Sequence, residues 1–208
     1  MKKIARGLRY AFTVMNHPIR GFYDIRFEGQ GNSVAATLCL VFLIAMFVVQ
    51  KQYTGFIFNT NNIREFNVLQ EICNVLVPVF LWCAANWCIT VLMDGKGRFS
   101  DIYMATCYAV VPYAVATLLR VILSLFLTQQ EQTFLGIVSG IGIAFTALLL
   151  FTGIMSIHQF TVSKTLFSVL LTVLGMAFIL FLVLLFASMF DQMVVYISGI
   201  ITEVRLRM

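Results

Sequence analysis

The chain has 208 residues, 61% of them hydrophobic and only 11% charged, with a formal net charge of +5 and a mean hydropathy of +0.94. A soluble domain carries about 25% charged residues because it needs a wet surface; this chain cannot cover one, so its solvent is largely lipid. The basic residues flank apolar runs, so the anionic partner they imply is the charged leaflet of a membrane rather than nucleic acid.

Residues 2–16, "KKIARGLRYAFTVMN", set Ile4, Leu8, Ala11, Phe12 and Met15 on one helical stripe, with Lys2, Lys3, Arg6, Arg9 and Thr13 tending to the other. That is the pattern of a basic amphipathic helix lying on an anionic surface. Pro18 stops it near Asn16, because the residue before a proline avoids the helical region. "HPIRGFYDIRFEGQGN" then reads as an irregular, aromatic-rich connector. His17, Pro18, Gly21, Phe22 and Asp24 are its candidate interaction residues, with an interfacial anchor as the plainer account. Residues 1–32 thus form a cytoplasmic helix and connector. Charges continue to Glu28, and "FVVQKQY" offers no small-residue cleavage site, so the first apolar span is expected to be retained rather than removed as a signal peptide.

Five apolar segments follow, at about Ser33–Val49, Val68–Met93, Ile102–Leu127, Phe134–Ile157 and Thr165–Phe190. A lipid-facing backbone has no water to bond, and alternating ten-residue strands are absent, so these are expected to be helices. The fold class is all-α: a polytopic bundle of five transmembrane spans, residues 33–190, preceded by the interfacial helix. Lysine and arginine orient it. Nine lie before span one and in the turns after spans two and four; four, including Lys51, Arg64, Arg205 and Arg207, lie on the other side. The positive-inside rule then predicts a multi-pass protein of the cytoplasmic membrane with its N-terminus inside and residues 191–208 outside. That tail either prolongs span five or lies along the interface.

"VLMDGKGRFSDIYMATCYAVVPYAV", Val91–Val115, is therefore a cytoplasmic hairpin between spans two and three. Gly95 and Gly97 allow the reversal; Asp94, Lys96, Arg98 and Asp101 keep it out of the bilayer. Within the spans the polar residues Glu71, Asn74, Asn86 and Arg120 invite functional readings. Matching depths across the hairpin predicts a Glu71–Arg120 contact, with Arg120 snorkelling to the interface as the alternative. Pro112 and Pro78 each deprive a carbonyl of its donor, and Asn86 is placed to bond the Tyr108 carbonyl across the hairpin. Two kinked helices could line a groove or simply pack. Gly136, Gly140 and Ala144 continue through Thr152 and Ser156 as a small-residue ladder, a packing face for the bundle or for a partner.

Catalytic chemistry finds no support. Ser139 and His158 lie nineteen residues apart on one span, roughly 28 Å along a helix, and no phosphate-cradling, dinucleotide or HExxH motif occurs. The five cysteines, Cys39, Cys73, Cys83, Cys88 and Cys107, form no CxxC and lie far from both histidines, so neither a disulfide framework, a metal site nor a cofactor is expected.

Two stretches resemble the YIP family, named for interaction with Ypt/Rab GTPases, and its bacterial members in particular. One is "HPIRGFYDIR", His17–Arg26. The other is "DGKGRFSDIYMATCYAVVPY", Asp94–Tyr113, where Asp-Gly-Lys-Gly-x-Phe leads through Phe99 into Ala-Thr-x-Tyr-Ala-x-x-Pro-Tyr, with Tyr108, Pro112 and Tyr113. The resemblance implies a five-span bundle with a cytoplasmic N-terminus and marks the hairpin as a family hallmark. The Asp-Leu-Tyr-Gly-Pro signature of eukaryotic relatives is absent, so GTPase binding does not carry over. The expected function is a non-enzymatic membrane protein that binds other membrane proteins, a transporter complex or further copies of itself, or organises lipid, through its cytoplasmic face. The alternatives are a transporter accessory subunit lined by the kinked second and third spans, and a lipid-handling protein with a groove open to lipid.

Overall fold

The computed structural model describes residues 2–56, 58 and 67–207. Its helices are α1 (Lys2–Asn16), α2 (Pro18–Phe27), α3 (Ser33–Tyr53), α4 (Val68–Leu92), α5 (Phe99–Ala109), α6 (Val111–Ser124), α7 (Gln132–His158) and α8 (Val162–Arg207), with a 3-10 turn at Gln129–Glu131. No strand occurs among the described residues. Helix α3, helix α4, the α5–α6 pair, helix α7 with its preceding turn, and helix α8 give five segments long and apolar enough to cross a membrane. The all-α reading and the number of spans therefore stand. Arg64, counted in the charge balance, lies outside the described residues, as do the side chains of residues 2–6.

Asparagine caps fix where two spans begin. The Asn32 and Asn67 side chains accept the Val34 and Leu69 amides, each at 3.0 Å, satisfying donors that a first helical turn leaves orphaned. Pro18 acts differently from the expectation. It does end α1 at Asn16, but it opens α2 at the first helical position, where its fixed φ and missing N–H match what the turn needs. The supposed irregular connector is thus mostly helix.

The third span is the hub, with 61% of its most apolar stretch buried against 6% for the fifth. It is also broken. Val110 is a turn residue, and Pro112 sits in the first turn of α6, so the proline separates two helices instead of kinking one. Helix α3 runs parallel to this pair. Their register is fixed by the Thr37 and Tyr103 hydroxyls at 3.1 Å, the Phe47 and Tyr113 rings at 5.7 Å, and the Gly55 amide donating to Ser124 Oγ at 2.9 Å. Helix α8 lies on α4 through a polar seam in which Thr165, Ser168 and Thr172 are fully buried.

Helix α1 leans on the bundle more than an interfacial helix need do. Ala11 and Val14 are buried, while Leu8 and Phe12 of the expected apolar stripe are 40% and 64% exposed. Tyr10 joins α1 to α2 by donating to the Gly21 carbonyl at 2.8 Å. Burial first, then the Asp24 and Glu28 charges, push its phenol up to about 12, so it remains a donor at any physiological pH. At the other end, 46 residues at 1.5 Å rise make α8 about 69 Å long, far more than about 30 Å of hydrocarbon. Residues 191–207 continue α8 without a break.

The glycines of α7 divide unexpectedly. A Cβ at Gly136 or Gly140 would meet nothing within 4 Å, and Ala144 is exposed. The Gly136–Ala144 part of the ladder therefore serves no packing within the described residues, whereas Ser156 at its far end is buried. The close approach is made instead at Gly142, where a Cβ would collide with that of Ala116 on α6. Gly142→Val is accordingly expected to destabilise the bundle by about 1–3 kcal/mol through overpacking, and Gly140→Val to leave it unchanged. Thermal unfolding of the two variants in detergent separates these outcomes.

Candidate functional site

Two helix ends meet at one corner of the bundle, and both stop in the same way. At the end of α4, Asp94 adopts φ 58° and the Gly95 amide donates back to the Thr90 carbonyl at 2.7 Å. At the end of α7, Gln159 adopts φ 56° and the Phe160 amide donates to the Met155 carbonyl at 3.1 Å. Each is a helix-ending turn of the kind that favours glycine at its left-handed residue. Here aspartate and glutamine hold that conformation, and they are the two non-glycine residues with positive φ among the described residues. Left-handed backbone at an L-residue costs about 1–2 kcal/mol, so neighbouring contacts must hold both corners. One of them is direct: Lys96 Nζ donates to Gln159 Oε1 at 3.1 Å.

His158 is the core of this knot. The last residue of α7 is 2% exposed, stacks on Phe160 at 5.3 Å, and lies against the hairpin. A Cβ at Gly95 would stand 2.5 Å from His158 Nδ1 and 2.7 Å from the Thr90 carbonyl oxygen; one at Gly97 would stand 2.6 Å from His158 Cε1 and 2.7 Å from Ile157 Cγ2. The sequence reading gave these glycines the work of turning the chain. The left-handed residue is Asp94, and the glycines are there because the imidazole leaves no room for a side chain. The Gly97 amide donates to His158 Nδ1 at 3.3 Å. A ring that accepts at Nδ1 is neutral and carries its proton on Nε2.

Arg26 ties the knot to α2. Its guanidinium donates to the carbonyl of Ile157 in the last turn of α7 and to the carbonyl of Lys96 in the hairpin, and packs over the Phe27 ring. A cation on the final carbonyls of a helix also complements its dipole. Gly153, one turn earlier on α7, admits the fully buried Phe22 ring beneath. On the far side of the hairpin, the Asp101 carboxylate accepts the Arg98 amide at 3.1 Å and starts α5. Phe99, 40% exposed, meets Trp87 edge-on at 6.3 Å.

The predicted site residues fall into three groups. Gly21, Phe22, Asp94, Gly95, Lys96, Gly97 and Asp101 belong to the knot or brace it. Tyr108, Pro112 and Tyr113 lie in the core: the Tyr108 hydroxyl donates to the Asn32 carbonyl at 3.4 Å and its ring packs on Tyr10. His17 is an exposed residue ahead of α2, and Asp24 makes a 4.0 Å pair with Arg20. Sequence reasoning missed Arg26, His158 and Gln159. Arg26 closes the quoted "HPIRGFYDIR" and could have been included; nothing local marks His158, whose partners are some sixty residues away.

The intramembrane polar residues differ from expectation. Glu71 meets Lys51 at 3.8 Å, and Arg120 Nη1 donates to Ser139 Oγ at 3.4 Å, so the two do not pair with each other. Asn74 is exposed. Asn86 does not serve the Tyr108 carbonyl; its Nδ2 donates to Thr172 Oγ1 at 3.2 Å. That assignment is forced, because the Thr172 hydroxyl spends its own proton on the Ser168 carbonyl at 2.7 Å and can only accept. Asn86 and His158, whose Oδ1 and Nε2 are buried without a hydrogen-bond partner, both line a cavity of about 10 Å³, which is about one water in size and too small for a larger ligand.

A family model described as Yip1 domain matches residues 12–185, from the middle of α1 to the middle of α8. No curated protein and no solved structure matches.

Proposed function

The chain belongs to the Yip1 domain family of multi-pass membrane proteins, and from that premise we propose that it is a non-enzymatic binding platform. It recruits or organises other membrane proteins, or lipid, through the face built from α1, α2, the α4–α5 hairpin and the α7–α8 turn. That face lies in the cytoplasm, and the membrane is the cell membrane.

The observation carrying this reading is the Arg26 bridge. It joins the two stretches that bear the family likeness, His17–Arg26 and the Asp94–Asp101 hairpin, to each other and to α7. A loop needed only to reverse the chain would not require two strained corners and a buried histidine to hold it. A rigid loop carrying exposed Arg98 and Phe99 suits recognition, since arginine and aromatic side chains dominate binding hot spots. The accessory-transporter reading is less well supported: the cavity lined by Asn86 and His158 has room for about one water.

Affinity purification from native membranes in mild detergent tests the proposal. Arg98→Ala with Phe99→Ala is expected to lower partner recovery at least tenfold while leaving the melting temperature unchanged. Unchanged recovery would count against the platform. Side is tested separately with Lys96→Cys, which should react with an impermeant thiol reagent only after the cells are opened; a signal from intact cells would reverse the topology.

A further inference from the structure

Beside the knot, α2 and the α7–α8 corner enclose an open groove of about 500 Å³, lined by Ile19, Arg20, Tyr23, Met155, Ser156, Gln159 and Phe160. We propose that this groove binds an anionic phospholipid of the adjoining leaflet, headgroup phosphate toward Arg20 and Lys164, acyl chain along Ile19, Tyr23 and Met155.

Three independent observations support that occupant. The walls are apolar where they should be wet: Ile19 and Tyr23, one turn apart on α2, are 58% and 45% exposed, although the opposite face of the same helix already buries Phe22 and Ile25. A ten-residue helix with apolar groups on both faces has one partner in the bundle and needs another outside it. Next, Ser156 lines this groove and is 8% exposed, and its hydroxyl oxygen is buried in the groove wall with no hydrogen-bond partner; a buried hydroxyl left so costs free energy unless something accepts from it. A phosphate or ester oxygen is such an acceptor.

The third observation is charge. Lys164 Nζ lies 4.4 Å over the Phe160 ring that forms one wall, Lys96 reaches the Gln159 side chain of another, and Arg20 lines the groove with its side chain 86% exposed. The opposing carboxylate is Asp24, 4.0 Å from Arg20, and it turns inward, its side chain only 16% exposed, toward Tyr10. The balance is cationic around an apolar floor, complementary to a lipid with a negative headgroup. The groove sits at the C-terminal end of α7, the end of a segment long and apolar enough to cross a membrane, which in the proposed topology is the level of the headgroups. The inference rests on the reading that this face handles membrane components, and names one of them.

The test places a photo-reactive residue at Tyr23 in the full chain, reconstituted in vesicles of equal parts phosphatidylglycerol and phosphatidylcholine. Adducts are expected to favour phosphatidylglycerol, and Arg20→Gln with Lys164→Gln to lower that preference about tenfold, two surface cations being removed. Ser156→Ala should lower the adduct yield of both lipids, which share the phosphate and ester oxygens, without altering the fold, and Arg20→Gln alone supplies the charge reading should the double variant melt early. Equal adduct yields for the two lipids, a preference unmoved by the Arg20 and Lys164 variants, or adducts to protein in place of lipid would each overturn the assignment. Because the partner-recovery test uses Arg98 and Phe99, outside the groove, equal lipid yields in the parent chain beside partner recovery that still depends on those two residues refute the groove and leave the platform standing.

Discussion

Gly95→Ala should be among the most damaging single-methyl changes in this protein, lowering stability by about 2–3 kcal/mol, with Gly97→Ala close behind. The added carbon at Gly95 would stand 2.5 Å from His158 Nδ1 and 2.7 Å from the Thr90 carbonyl oxygen; at Gly97 it would stand 2.6 Å and 2.7 Å from side-chain atoms of His158 and Ile157. Overpacking of this sort costs about 1–3 kcal/mol, more where the obstacle is backbone that cannot rotate away. In a chain of this length that corresponds to a melting temperature lower by about 5–10 °C. The cause can be isolated, because the two sites differ in what blocks them. Combining Gly97→Ala with His158→Ala removes the ring from the clash, so the double variant should be less unstable than the sum of the singles, as expected for residues in contact. For Gly95 the same combination should rescue little, since the Thr90 carbonyl stays in place. A Gly95→Ala protein that melts like the parent would show that the hairpin is not clamped at all.

The contrast between those glycines and the ones on α7 marks what the sequence can disclose. Span number and placement were legible because hydropathy over twenty residues is a long-range average that no single contact overrides. The caps at Asn32 and Asn67 were local and equally open to reading. Misreadings occurred wherever the answer depended on a residue distant in the chain. Gly136-x-x-x-Gly140 carries the motif for close packing, yet Gly142, two places on, makes the contact with Ala116, because which stripe faces inward is decided by the neighbouring helix. Glu71 and Arg120 were matched by depth along one hairpin. Depth says nothing of azimuth, and each found a nearer partner in Lys51 and Ser139. Pro18 shows the reverse case, a residue whose rule was known in two forms. It ends one helix and begins the next, and only the second form makes α2 a helix able to offer Phe22 and Arg26 inward. His158 fills the space that two glycines vacate, on a loop sixty-one residues earlier, and no local pattern around it discloses that role.

Arg26→Ala is the other change with a large expected effect, and it separates a rigid hairpin from a merely folded one. The guanidinium serves two carbonyls on different elements, Lys96 in the hairpin and Ile157 at the end of α7. Bonds from a charged donor contribute about 1.5–3 kcal/mol each when buried; Arg26 is half-buried, so the pair together is expected to contribute about 2–3 kcal/mol. Arg26→Lys should recover less than half of that, because one ammonium on a flexible stem cannot present a planar fork to two acceptors at once. The loss should be local. With the bridge gone, the strained corners at Asp94 and Gln159 keep, beside their own helix-ending backbone bonds, the Lys96–Gln159 and Gly97–His158 bonds, and the hairpin should open far more often than the bundle unfolds. Trypsin reads this directly, since Lys96 and Arg98 are exposed cleavage sites on a loop that must unfold locally to enter the protease. Cleavage there should accelerate at least tenfold in Arg26→Ala, with Arg26→Lys intermediate and the spans left intact. If the variant resists trypsin as the parent does, the two family-bearing stretches are not joined through Arg26, and the proposed platform loses the contact on which its rigidity depends.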